Sequence, residues 1–171
     1  MTVSKSFIRC FLENLLSQFR YVWCLGCGSG GLALRLKTDV LAVDLSPFNL
    51  KCAIHNFTTL PSQATLSINL ISTDSDLFGY RLPDAVCFES GLPSFSLWRL
   101  VYSHIKLNGI SVVVSVTYAS YLRIGLLSSQ YGGKIWHIIM SANTVRVNSR
   151  LYHYRTSVVI WMVRKCDYNC W

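Results

Sequence analysis

The chain has 171 residues, 51% of them apolar and only 14% charged, with a formal net charge of +8. That composition excludes a disordered chain, and the length fits one domain, 1–171, around a single sizeable core. Mean hydropathy is positive, yet no run approaches the ~20 apolar residues of a spanning helix, so no membrane contact and a soluble, cytoplasmic protein are expected.

Residues 7–19 place apolar side chains at 7, 8, 11, 12, 15, 16 and 19, the period of a helix packed along one face. The stretch from Thr2 to Arg20 carries Lys5, Arg9, Glu13 and Arg20, which argues against a signal peptide or anchor. Strands are expected at 21–25 and 40–43, with a short helix at 30–37 between them. Ser46-Pro47 opens a helix to about Asn56, proline suiting its first turn. Ala64 to Ile71 alternates as a third strand, followed by Ser72-Thr73-Asp74-Ser75-Asp76. Pro83 to Glu89 is a fourth strand, and Pro93 or Ser94 starts a helix reaching Ile105. After the turn Lys106-Leu107-Asn108-Gly109 comes a fifth strand, Ile110 to Val116, then a helix over about 119–129. Strands near 135–141 and 157–165 close the chain, with 143–155 as the connection between them.

The seven cysteines read as reduced thiols in a reducing compartment. Their number is odd, and four fall inside expected core elements, where a free thiol behaves as a small hydrophobe. No metal site is expected.

The most informative stretch is residues 21–44. An apolar strand runs into a cluster of glycines, Gly26, Gly28, Gly30 and Gly31, and a second apolar strand ends on Asp44. Glycines let backbone approach a ligand closely and adopt positive φ. An acid closing the neighbouring strand is placed to hold the two hydroxyls of a ribose. This is the nucleoside-binding half of a Rossmann-like fold. The other reading of Asp44 is a cap for the helix that begins at Ser46.

The run Trp23-Cys24-Leu25-Gly26-Cys27-Gly28-Ser29-Gly30 resembles the first motif of class I S-adenosylmethionine-dependent methyltransferases, Leu-Asp-Leu-Gly-x-Gly-x-Gly. One position departs from it: the acid that the family often carries two residues before the first glycine is Cys24 here. The Lys106-Leu107-Asn108-Gly109 turn is similar to the family's Leu-Lys-Pro-Gly-Gly turn. The resemblance implies an α/β Rossmann-like methyltransferase fold: a mixed seven-stranded sheet, helices on both faces, the last strand antiparallel. It also implies S-adenosyl-L-methionine as cofactor. Leu25, Gly26, Cys27, Gly28 and Gly30 would approach its amino acid part and Asp44 its ribose. Leu45, with Phe48, would pack on adenine. Asp74, or Asp76, would accept from the adenine amino group.

Glu89 ends the fourth strand, the position that faces the transferred methyl in this fold, and is the candidate catalytic residue. Glu89-Ser90-Gly91-Leu92 is unlike the Asn/Asp-Pro-Pro-Tyr/Phe of enzymes that methylate exocyclic amines. The Lys-Asp-Lys-Glu set of ribose 2′-O-methyltransferases is missing too, since Ser115-Val116-Thr117 holds no lysine. A nucleophile that needs no base, such as guanine N7, fits this pattern. The net charge and the cluster Arg146, Arg150, Tyr152, His153, Tyr154, Arg155 favour RNA. Arginines there would neutralise phosphates while aromatics stack on bases, with Arg146, Tyr152 and Arg155 as candidate substrate contacts. A solvated β-hairpin explains the cluster nearly as well.

The expected function is methyl transfer to RNA, with guanine N7 of a capped 5′ end as the expected acceptor. The compact Cys-, Tyr- and Val-rich chain resembles a domain of a plus-strand RNA virus replicase, which would add partner subunits of a replication complex. Rival readings are small-molecule methylation, RNA 2′-O-methylation, and a catalytically silent module of the same fold that binds RNA or protein.

Overall fold

The computed structural model describes residues 3–59, 66–69, 79–91, 93–116, 118–147 and 150–166, with backbone alone at 3–6, 66–69, 118, 120, 140–147 and 150–156. Helix α1 (Val3–Leu16) precedes strands β1 (Tyr21–Leu25) and β2 (Asp39–Val43). Then come α2 (Pro47–Thr59), β3 (Leu66–Asn69), β4 (Ala85–Phe88), α3 (Phe95–His104), β5 (Ile110–Ser115), α4 (Tyr118–Tyr131), β6 (Lys134–Val147) and β7 (Arg150–Arg164). The strands form one seven-stranded sheet in the order β3-β2-β1-β4-β5-β7-β6. The first five are parallel, and β7 runs antiparallel between β5 and β6. The mixed α/β sheet expected from the sequence is the one observed.

Strand side chains alternate between two faces, and each face has its own core. Val22, Cys24, Val40, Ala42, Cys87, Val112 and Ile160 pack beneath α1 residues Leu12 and Leu16, with Leu32 and Leu36 beside them. Trp23, Leu41, Val86, Val113 and Trp161 pack beneath Trp98 and Val101 of α3 and Ile124 and Leu127 of α4. Helices on both faces explain why β1 and β4 are unbroken apolar runs, and why β5 is apolar but for its buried Ser111 and Ser115. Helix α3 starts where the sequence places it, with Ser94 Oγ accepting from Leu97 N.

One expectation is corrected. Residues 30–37 form a succession of turns, not a regular helix. Leu34 N donates to Gly30 O and Leu36 N to Leu32 O, but Arg35 N donates to Leu32 O, three residues back. Paired glycines at the start cost a helix about 1 kcal/mol each, and so short a segment cannot offset the cost of nucleation. Burial of Leu32, Ala33 and Leu36 holds the segment against the sheet instead. For the segment between the last two strands, the hairpin reading is the one observed. Residues 143–147 belong to β6 and 150–155 to β7, paired through a register shift between Ala142 and Val145.

That hairpin has a definite place. Ser115, the last residue of β5, pairs with Val159, which pairs in turn with His137 of β6. Residues 150–158 of β7 and 138–147 of β6 therefore run on past the carboxyl end of β5. At ~3.3 Å per residue the overhang approaches 30 Å.

The Trp98 indole stacks on Tyr102 (4.9 Å), meets Trp161 at 5.1 Å, and donates from Nε1 to the buried Ser111 Oγ at 3.1 Å. Ser111→Ala strands that donor in an apolar core and is expected to cost about 1–3 kcal/mol in a urea titration.

Candidate functional site

In an open parallel sheet, ligands bind beyond the carboxyl ends of the strands where the chain changes direction across the sheet. Here that point lies between β1 and β4, since β2 and β3 are added on one side of β1 and β4 and β5 on the other.

At the end of β1 the chain folds over β2, because Gly26 N and Cys27 N both donate to Val43 O, at 2.8 and 3.0 Å. Gly26 has φ +71°, and a Cβ there would collide with the Ser90 hydroxyl. Only glycine lets the end of β4 approach the end of β1 so closely. Glu89 N donates to Leu25 O at 3.0 Å and completes that seam. Gly28, at φ +57°, differs in kind: nothing lies within 4 Å of where its Cβ would stand. Its backbone faces open space.

Asp44 fixes this turn. The side chain is buried, and Oδ2 accepts from Gly28 N at 2.8 Å while Oδ1 accepts from Ser46 N at 2.8 Å and Asn49 Nδ2 at 3.1 Å. The capping role is thus present, but the same carboxylate also clamps the glycine turn. A carboxylate offers about four lone-pair sites, so three donors leave room for one more. Helix α2 reinforces the arrangement: Asn56 Nδ2 donates to Ser29 O at 2.9 Å, and Phe57 and Ala53 pack against Gly30. Beside the clamp, Leu45 and Phe48 are 80% and 73% exposed. Large apolar groups open to water next to a buried acid suit the face of a planar ring.

Glu89 lies inside the site rather than at its rim. Its Oε1 is buried without a hydrogen-bond partner. Burial pushes the carboxyl up to about 8, with Asp44 raising it further and the Arg9 guanidinium opposing the rise. Arg9 comes from α1, and its guanidinium fills the space that a side chain at Gly31 would need. Cys24 and Cys87, register partners on β1 and β4, and Cys27 on the turn surround this carboxyl. Burial raises all three thiols, Cys27 to about 12.

The residues fit a nucleoside cofactor with an amino acid end: an open glycine backbone, an acid with unused acceptor capacity, exposed apolar groups beside it and an orphaned buried carboxyl. No family model and no curated protein matches the sequence. Solved structures do. A candidate precorrin-6Y C5,15-methyltransferase domain from Corynebacterium diphtheriae superposes with a TM-score of 0.83 at 20% identity, over 96% of this chain and 99% of that one. The C-terminal domain of precorrin-6Y C5,15-methyltransferase from Rhodobacter capsulatus gives 0.79 at 17% identity, over 94% and 89%. An S-adenosylmethionine-dependent O-methyltransferase from Thermotoga maritima gives 0.66 at 16% identity, over 94% of this chain and 65% of that one. The fold is that of class I methyltransferases.

Of the residues singled out in the sequence, Leu25, Gly26, Cys27, Gly28, Gly30, Asp44, Leu45 and Glu89 come together around the turn of this methyltransferase fold. Asp74 and Asp76 lie outside the described residues. Arg146, Tyr152 and Arg155 are on the β6–β7 overhang, their backbones opposite Leu151, Val145 and Ser141. Arg9 was not foreseen, because as one charge on an amphipathic helix it carries no motif. Asn49 was legible in principle, standing in the first turn of a helix that begins just after an acid.

Below pH 4.5 Glu89 is neutral whether the chain is folded or not. Between there and pH 8 the unfolded carboxyl ionises while the folded one keeps its proton, so folding stability falls as pH rises and levels off above 8. Glu89→Gln is neutral throughout. It should match the wild type at pH 4.5 and melt higher at pH 8, by about 2–4 °C for each kcal/mol of that difference in a domain of this size, read by scanning calorimetry.

Proposed function

We propose that the chain is an S-adenosylmethionine-dependent methyltransferase. The observation that carries this reading is the Gly28 backbone, open to space at the sheet's change of direction and held by the buried Asp44. When bound, the cofactor supplies a methyl group on a positively charged sulfur. The chain's own residues bind and orient it. The 26–30 turn admits the amino acid part, Asp44 accepts from the ribose, Leu45 and Phe48 cover the adenine, and Asp74 or Asp76 would accept from the adenine amino group.

For the acceptor, two of the similar structures are named for precorrin-6Y methylation, which supports a small molecule. The RNA reading rests on a separate observation. The net charge is +8, and the strands carrying Arg146, Tyr152 and Arg155 overhang the edge of the sheet on which the site opens. Guanine N7 of a capped 5′ end remains the RNA acceptor best suited to a site without a lysine-centred base, since its lone pair needs positioning alone.

Transfer of a labelled methyl from the cofactor to capped RNA, uncapped RNA and a tetrapyrrole mixture separates these acceptors, and label in none of them counts against an active enzyme. If RNA is the acceptor, its binding falls by orders of magnitude between 50 and 200 mM salt, and Arg146→Ala and Arg155→Ala each reduce the salt slope by about one. A small-molecule acceptor leaves activity indifferent to both changes.

Gly28→Val tests the cofactor reading itself. It puts a branched side chain into the open space at positive φ, with a backbone penalty of about 1–2 kcal/mol. Calorimetry is expected to show S-adenosylhomocysteine binding weakened more than tenfold while the variant stays folded.

A further inference from the structure

Where the family places an acid near the cofactor's amino acid end, two residues before the first glycine, this chain has Cys24. A thiol that burial keeps protonated cannot pair with a cation.

The missing negative charge stands one strand away. Cys24 pairs in register with Cys87 of β4, and Glu89 follows Cys87 by two residues, on the same face as the alternation of a strand dictates. Glu89 N is bonded to Leu25 O, which fixes its backbone against the end of β1. Its Oε1 is buried with no donor, a costly state for an acceptor, while the residue as a whole reaches the surface in part. Among the described residues, the charged groups facing it are Arg9 from α1 and Asp44 from the end of β2, with the thiols of Cys24, Cys27 and Cys87 beside them. The orphaned Oε1 lacks a donor, and an ammonium group would supply one.

Building on the cofactor reading above, we propose that Glu89 receives the α-ammonium of the cofactor's methionine end, taking over on β4 the task that Cys24 cannot perform on β1, while Arg9 faces the α-carboxylate beside it. A zwitterionic amino acid group matches an acid and a guanidinium held at one glycine turn. Glu89 is then a cofactor-binding residue that does not border the transferred methyl. Because the carboxyl holds a proton at neutral pH when the site is empty, pairing with the ammonium expels that proton to solvent. Affinity for the amino acid end therefore rises from pH 6 to pH 8 and levels off there.

The test compares two ligands by titration calorimetry on the full chain. One is S-adenosylhomocysteine. The other is 5′-methylthioadenosine, which keeps the nucleoside and sulfur but lacks the ammonium and carboxylate. Glu89→Gln is expected to weaken S-adenosylhomocysteine about 10- to 100-fold and methylthioadenosine less than twofold. In buffers of different ionisation enthalpy, wild type at pH 7 should release close to one proton per S-adenosylhomocysteine bound, and Glu89→Gln none. Arg9→Met should likewise weaken only the ligand with the carboxylate. Equal losses for both ligands, or none, in Glu89→Gln would overturn the assignment while leaving the cofactor reading intact. If wild type binds neither ligand, both fall together.

Discussion

The Asp44 carboxylate is the constraint on which the site depends. Its Oδ2 holds Gly28 N and its Oδ1 holds Ser46 N and the Asn49 amide, so one buried charge joins the glycine turn to the start of α2. Charge-assisted bonds of this kind are short, strong and directional. In related architectures the backbone beyond a glycine turn runs straight into a helix whose free N–H groups help to order it. Here the segment after Gly30 makes irregular turns, and that source of order is weak. The carboxylate supplies the rigidity from the side, and Asn56, bonded to Ser29 O, adds a second tie from the far end of α2.

What the sequence made legible follows from how many constraints each segment carries. Strands β1, β2 and β5 are buried on both faces, so apolar runs bounded by turn residues locate them almost to the residue. Glycines 26 and 28 were legible because positive φ and close approach leave few other choices. The 30–37 segment misled, because the apolar spacing of Leu32, Ala33 and Leu36 records burial against the sheet but not the number of hydrogen-bonded turns. The hairpin was legible only as one of two readings, for the opposite reason. Where the strands leave the core, polar and aromatic residues satisfy strand geometry as well as apolar ones do, and the pattern that marks a strand fades while the pairing persists. Contacts across the fold were the least legible. Nothing near Arg9 in sequence hints that its guanidinium will cover Gly31, since that placement depends on where α1 docks.

The two ends of the site draw on different physics. At the Asp44 end, hydrogen-bond donors are already in place and the apolar Leu45 and Phe48 stand open to water, so binding there gains chiefly from removing apolar surface. At the Glu89 end the balance is electrostatic, set by burial and by the mutual distance of Arg9, Glu89 and Asp44. The second end responds to pH through a carboxyl raised to about 8.

The cysteines around Glu89 carry a chemical implication. A positively charged sulfur with a transferable methyl is an alkylating agent, and sulfur anions are among the best acceptors for it. Burial keeps Cys24, Cys27 and Cys87 in their neutral form well above physiological pH, and neutral thiols are poor nucleophiles. A pocket floored by cysteine can therefore shelter a reactive electrophile without consuming it, and the apolar packing that hides these side chains doubles as protection against self-modification.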